Sequence, residues 1–266
     1  MAFNIKKWRI NIYNKLIDIF NKGYYFNYNN KIKIPDELIE YSIQNTIKYN
    51  LLDLIEYEEI YKINGRLYVI ELDSLDLAIE YKSKGFNPVL LNMANAINPG
   101  DGLKNGIGAQ EESLFRRSCL HLLLDKKYYP LENYSALYSP DVIIISENEV
   151  NLYTYYENFK LISIITLAAH NNSNKISLDD LYFITYNKIN TLFKIAIMNN
   201  HDVIILSALG CGALKNDPVF VANIFKSVID DNNYKRYFRY IIFGIIDDYN
   251  SLLNGSNYKI FSDILT

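Results

Sequence analysis

The chain has 266 residues, half of them hydrophobic, which is enough core material for one large domain or a domain with an extension. Its formal charge of −3, from 27 Lys and Arg against 30 Asp and Glu, excludes a general electrostatic pull toward nucleic acid or anionic membrane. Only Cys119 and Cys211 are present, no apolar stretch nears the roughly 18 residues of a membrane span, and no early segment reads as a cleaved leader, so the expectation is a soluble protein of a reducing compartment, cytoplasmic with the nucleus left open.

In chain order, Ile10, Tyr13, Leu16, Ile17 and Phe20 recur at helical spacing. Ile39, Ile43 and Ile47 repeat the pattern after Pro35 and Asp36, a suitable helix start. The first fifty residues carry eight Lys or Arg against four Asp or Glu, a modest sign of a separate surface. Residues 1–64 therefore read as a helical N-terminal extension. From residue 67 the texture changes to short apolar runs: LYVIEL, PVLLNM, VIIIS, SIITLA, VIILSAL and YIIFGII. Each is too short to span a membrane and rich in β-branched residues, as buried strands are. Helical candidates lie between and after them at 74–84, 110–124, 178–199, 217–230 and 249–265. Strands alternating with helices predict an α/β domain over 65–266 with a largely parallel sheet.

In such sheets ligands bind beyond the carboxyl ends of the strands. Two loops stand out there. The first follows PVLLNM and carries Gly100, Gly102, Gly106 and Gly108 before a helix whose first turn holds Gln110, Glu111 and Glu112. The second follows VIILSAL and reads GCGALKNDP, with Gly210 and Gly212 around Cys211 and a helix signalled by Asp217 and Pro218. Glycine lets a backbone approach a ligand closely, and free amides there can cradle phosphate oxygens. Neither loop has the G-x-G-x-x-G spacing of a dinucleotide fingerprint. Singly, each is more often a plain connection, and acids at a helix start are ordinarily dipole-favoured surface groups. Their coincidence on one sheet edge points to a site.

The segment LNMANAINPGDGLKNGIGAQEESLFRRSCL resembles the signature of the bacterial-type poly(ADP-ribose) glycohydrolases, macrodomain enzymes in which three glycines closely precede a Gln-Glu-Glu. Here the gap, LKNGIGA, is seven residues. The resemblance extends in order through LYSPDVIIISE, ISIITLAA, SALGCGALKNDP, YIIFGIIDD and NYKIFSDIL. It implies a three-layer α/β/α macrodomain that binds ADP-ribose across the crest of its sheet and cleaves the glycosidic bond at the distal ribose. Glu112 would be the catalytic acid, Glu111 would hold ribose hydroxyls, and Gln110 would brace the loop. Gly100 and Gly102 would let the backbone approach ribose and phosphate, while Gly210, Cys211, Gly212 and Ala213 would wrap the diphosphate. Asn95 or Asn98 would bond the distal ribose, and Phe243 is a candidate to stack on adenine, with core packing as its alternative. The implied partners are ADP-ribosylated protein or poly(ADP-ribose), with ADP-ribose as product, and neither cofactor nor metal is called for. His121, His170 and His201 show no ligand spacing.

Glycoside cleavage passes through an oxocarbenium-like state that needs a proton on the departing atom and negative charge near the ring, which a carboxyl pair can supply. Two adjacent carboxylates near a diphosphate repel one another, so at least one is expected to titrate high enough to be a usable acid near neutral pH. Two departures from the family pattern matter. Asp101 stands where the family has its middle glycine, and its charge suits a cationic leaving group such as the guanidinium of mono-ADP-ribosyl-arginine. Leu214 replaces an aromatic residue expected beside the distal ribose. The alternative to an enzyme is a reader, the same pocket binding ADP-ribose without turnover.

Overall fold

In a computed structural model, which describes residues 3–51, 63–171, 176–248, 251 and 255–266, the apolar runs pair into one seven-stranded sheet. The strands are β3 (Ile47–Asn50), β4 (Arg66–Ile70), β5 (Pro88–Met93), β6 (Ser135–Ser146), β7 (Tyr155–Leu167), β8 (Val203–Leu206) and β9 (Tyr240–Gly244). Their order is β3-β6-β7-β5-β8-β9-β4, and β6 alone runs against the rest. A two-stranded hairpin, β1 (Tyr24–Asn27) with β2 (Asn30–Lys33), stands apart from this sheet.

Side chains on successive residues of a strand point to opposite faces, and the central strands use both. Val89, Leu91, Ile204, Leu206, Ile241 and Phe243 face one fully buried cluster; Leu90, Ile205 and Ile242 face the other. The first is covered by α6 (Leu178–Met198), α7 (Pro218–Asp231) and α8 (Asn257–Leu265). The second is covered by α1 (Ile5–Lys22), α3 (Ser74–Ser83), α4 (Gln110–Arg117) and α5 (Leu120–Leu123). Helices on both faces of a mostly parallel sheet make the three-layer α/β/α macrodomain that the resemblance implies.

The N-terminal segment is more than helical. Besides α1 and α2 (Asp36–Gln44) it contains the hairpin and the edge strand β3, in which Ile47 belongs to β3 and not to the helix its spacing suggests. Residues 1–2 and 52–62 of that segment lie outside the described residues. The helix expected at 110–124 is two. Ser118 is extended (φ −145°, ψ 173°) and bridges Ile144, while the Cys119 N–H donates to the Ile143 carbonyl at 3.0 Å. Backbone pairing to β6 thus breaks a sequence with no Pro or Gly at the break. Of the helix expected at 249–265, residues 249, 250 and 252–254 lie outside the described residues, and the remainder contains α8.

Candidate active site

Parallel strands β7, β5 and β8 lie side by side, so the loops leaving their carboxyl ends converge. The loop after β5 reaches α4 through a tight path. Gly100 and Gly106 adopt left-handed backbone (φ +61° and +63°), which glycine enters at little cost, and a 3₁₀ turn at Leu103–Asn105 lies between them. Gly102 has ordinary helical dihedrals but no room for a side chain. A Cβ there would lie 2.6 Å from Glu112 Oε1 and 2.8 Å from Ile107 Cβ.

Glu111 and Glu112 occupy the first turn of α4 yet are only 3% and 5% exposed. They are therefore not surface acids. The Gly102 N–H donates to Glu112 Oε1 at 3.0 Å, and the Asn95 N–H donates to Glu111 Oε2 at 3.0 Å. Gln110 braces the same turn against β5: its Oε1 accepts from the Met93 N–H at 2.9 Å, and its Nε2 donates to the Leu91 carbonyl at 2.7 Å. Each residue of the triplet is thus tied by backbone bonds to β5 or to the loop that leaves it. Burial, with the neighbouring Glu112 charge adding to it, pushes the Glu111 carboxyl up to about 8 against the opposing Asn95 N–H. The carboxyl that is pushed up is Glu111, whereas the resemblance casts the other member of the pair, Glu112, as the acid. Glu111 Oε1 and Asn92 Oδ1 are both buried without a hydrogen-bond partner, the condition of groups that await a ligand or a proton.

Asn95 and Asn98 are exposed; the Asn95 carboxamide oxygen is occupied by the N–H groups of Ile97 (2.8 Å) and Asn98 (3.1 Å). Asp101 is exposed at the loop crest, and no described residue pairs with its carboxylate. After β8, Gly210 is left-handed (φ +75°), and a Cβ there would strike Asn216 Nδ2 at 2.3 Å and Ala169 Cβ at 2.7 Å. Gly212 has open space around it, Ala213 is exposed and Leu214 half-buried. The Cys211 thiol is buried, so what this residue can offer a ligand is its backbone. The Asn216 carboxamide donates to the His170 carbonyl at 2.9 Å and joins the loop after β8 to the one after β7.

Phe243 does not belong to this edge. It is fully buried, edge-on to Phe225 at 5.0 Å between ring centroids and packed near Phe261 at 5.7 Å. The alternation along β9 turns it into the core beneath α7 and α8, with no face left for adenine. Among residues the sequence does not single out, Tyr129 has a buried hydroxyl with no partner, driven up by burial and by the Glu111 charge. Nothing in the sequence marks it among 24 tyrosines. Asn216 sits inside the GCGALKNDP motif and could have been read from it. His121 lies among the rings of Tyr13 and Phe20, while His201 bonds Tyr138 at 3.0 Å. Among the described residues no group of three His, Cys, Asp or Glu could hold a metal ion, and no helix is long and apolar enough to cross a membrane.

The family model for the microbial-type PARG catalytic domain matches residues 14–148, just over half of the chain and inclusive of the first glycine loop and α4. No curated protein matches. Among solved structures, the fold is similar to poly(ADP-ribose) glycohydrolase (PARG) from Thermomonospora curvata, with TM-score 0.86 and 22% identity over 97% of this chain and 99% of that one. The Thermomonospora curvata enzyme bound to the inhibitor ADP-HPD gives TM-score 0.79 at 21% identity, covering 96% and 98% of the two chains. The Deinococcus radiodurans enzyme in complex with ADP-ribose gives 0.75 at 22% identity, covering 88% and 98%.

Proposed function

The chain belongs to the microbial-type PARG catalytic-domain family and is a glycosidic-bond hydrolase, and from that premise we propose that it cleaves the bond at the distal ribose of ADP-ribosylated substrates with Glu112 as acid and base. The observation that carries this is the buried carboxyl pair on the first turn of α4, with Glu112 seated against the Gly102 N–H of the glycine loop. Burying two carboxyls side by side is costly unless they are hydrogen-bonded or neutralised, and groups perturbed in this way cluster at functional sites.

In this reading ADP-ribose lies over the ends of β5, β7 and β8. Gly210, Gly212 and the exposed Ala213 offer backbone to the diphosphate, Gly100 and Gly102 admit the ribose, and Asn95 and Asn98 line its rim. Glu111 holds its proton near neutral pH and meets ribose hydroxyls as a neutral group, which keeps one negative charge away from the diphosphate. Glu112 acts from its protonated form: it passes that proton to the departing atom as the bond to the anomeric carbon breaks. It then takes a proton from the water that attacks the oxocarbenium-like centre. Gln110 holds the turn in register with β5. The ADP-ribose complex of the Deinococcus radiodurans relative supports the ligand assignment.

For substrate class, we read the exposed Asp101 carboxylate as facing the leaving group, where it favours the guanidinium of an arginine-linked mono-ADP-ribosyl protein over the next anionic unit of a polymer. A hydrolysis panel over serine-, arginine-, acid-linked and polymeric ADP-ribose tests both levels, run with wild type, Glu112→Gln and Asp101→Gly. Release by wild type that is lost in Glu112→Gln supports the hydrolase. Tight ADP-ribose binding by calorimetry with no release from any substrate would make the protein a reader. An equal preference for polymer in wild type and Asp101→Gly would remove the arginine assignment.

A further inference from the structure

We infer that Arg9, on the N-terminal helix, is a positioning residue of the active site: it clamps residues 106–108 of the glycine loop and so fixes where Glu112 sits. The inference rests on the hydrolase reading for its catalytic consequence, while its structural content stands apart from it.

Helix α1 touches the loop backbone to backbone. A Cβ on Gly106 would lie 2.3 Å from the Lys6 carbonyl oxygen, and a Cβ on Gly108 would lie 2.4 to 2.6 Å from the guanidinium atoms of Arg9. At Gly106 only glycine permits the approach, whereas at Gly108 a side chain would push the guanidinium aside. Arg9 Nη1 donates to the Gly106 carbonyl at 3.3 Å. Its Nε and Nη2 form a two-pronged pair with Glu149, both at 2.6 Å, from a residue 140 positions away. Glu149 Oε2 also accepts from the Tyr153 hydroxyl at 3.1 Å, which in turn accepts from Arg116 Nε at 2.7 Å. Arg116, 1% exposed at the far end of α4, donates through Nη1 to the Ile107 carbonyl at 2.8 Å. Two arginines joined by Glu149 and Tyr153 therefore grip two consecutive loop carbonyls.

The grip is transmitted. The Ile107 N–H donates to the Gly102 carbonyl at 3.1 Å, and the Gly102 N–H donates to Glu112 at 3.0 Å. Two hydrogen bonds separate the clamp from the acid. The clamp is also held firmly on its outer side. Leu152 and Tyr153 both adopt left-handed backbone (φ +56° and +54°), which non-glycine residues keep only where surroundings impose it, and the ring of Trp8 packs on Tyr153 at 5.5 Å. The N-terminal helix thereby belongs to the active-site apparatus in spite of its place outside the glycine and acid motifs.

The test measures turnover, ADP-ribose affinity and amide hydrogen exchange of residues 102–108 in Arg9→Ala, Arg9→Lys and the Arg9→Ala/Glu149→Ala double variant. Arg9→Lys keeps the charge and stem, so it folds, but a single ammonium cannot reproduce the two-pronged pair. Expected are a kcat loss of roughly 10- to 100-fold in Arg9→Ala, the scale of an ångström's misplacement, and a smaller loss in Arg9→Lys. ADP-ribose affinity should shift by less than about threefold, and the double variant should be no slower than Arg9→Ala alone. Exchange at Gly102 and Ile107 should quicken while the strands stay protected. A folded Arg9→Lys or Arg9→Ala with kcat within about twofold of wild type and unchanged exchange at 102–108 overturns the inference. If wild type itself releases nothing, the exchange arm still decides the clamp, and only the hydrolase reading is lost.

Discussion

Gly102→Ala isolates one geometric demand of the site. Gly102 has φ −78° and ψ −10°, so alanine suffers no backbone strain there and even gains helical propensity. Its methyl group would nevertheless sit 2.6 Å from Glu112 Oε1 and 2.8 Å from Ile107 Cβ, where ordinary contact begins at 3.4 Å. Ile107 is tied by its N–H to Gly102 and by its carbonyl to Arg116, so the freer partner is the carboxyl. The Glu112 carboxyl must retreat by about 0.8 Å and lengthen its bond from the Gly102 N–H. If Glu112 is the proposed acid, a displacement of that size costs roughly 10- to 100-fold in kcat, while overpacking costs about 1 to 3 kcal/mol of stability. Single-turnover release of ADP-ribose, with ADP-ribose affinity by calorimetry and urea unfolding in parallel, separates the two effects. Loss of turnover with retained binding and a native fold is expected. A folded Gly102→Ala that turns over within about twofold of wild type would show that the position of Glu112 in this loop does not matter, and the argument from burial to catalysis would fall with it.

Glu112→Gln should keep ADP-ribose binding and lose on the order of 10²- to 10⁴-fold in release, the usual contribution of a general acid; steady-state release against calorimetric affinity checks it. Burial holds the Glu111 carboxyl up at about 8 from an ordinary 4.5, so the unfolded chain gives up this proton first. Wild-type stability should therefore fall relative to Glu111→Gln as pH rises from about 4.5 to about 8, with the two running parallel outside that window; urea unfolding across pH reads it. Arg117→Met leaves Asp73 and Asp76 without the fully buried guanidinium that pairs with both, and should cost about 3 kcal/mol in urea unfolding, the low end for a broken buried pair because both carboxylates keep some solvent.

Much of this fold is written in local patterns. The β-branched runs from residue 67 onward do form the sheet, Asp217 does cap α7 through the Phe220 N–H at 3.0 Å, and the glycine loops do leave adjacent strands. What local patterns lack is information about distant backbone. The break at Ser118 arises because β6 offers Ile143 and Ile144 to pair with, and β3 becomes a strand because Ser135 to Tyr138 present an open edge. Phe243 illustrates the same gap: a phenylalanine in a strand buried on both faces carries no mark of which face meets ligand and which meets core. The acids at 111 and 112 were visible by spacing, but their burial was not. Arg9 and Tyr129 had no signal at all, since their meaning depends on Glu149 and Glu111, each remote in sequence.

The two ends of α4 divide the work of the site. Its N-terminal turn carries two buried carboxyls satisfied by single backbone bonds and still holding an unpartnered oxygen. Its C-terminal turn carries two buried arginines that are almost fully engaged, Arg116 with Tyr153 and Ile107, Arg117 with Asp73, Asp76 and the Ser146 carbonyl. Acids at the start and cations at the end also suit the helix dipole. An eight-residue helix cannot hold its position by its own propensity. Its placement comes from the arginines and from Leu114 and Phe115 in the core beneath. That arrangement lets the acidic end remain incompletely bonded, which is what a site must be if its last partners are to be a ribose and a water.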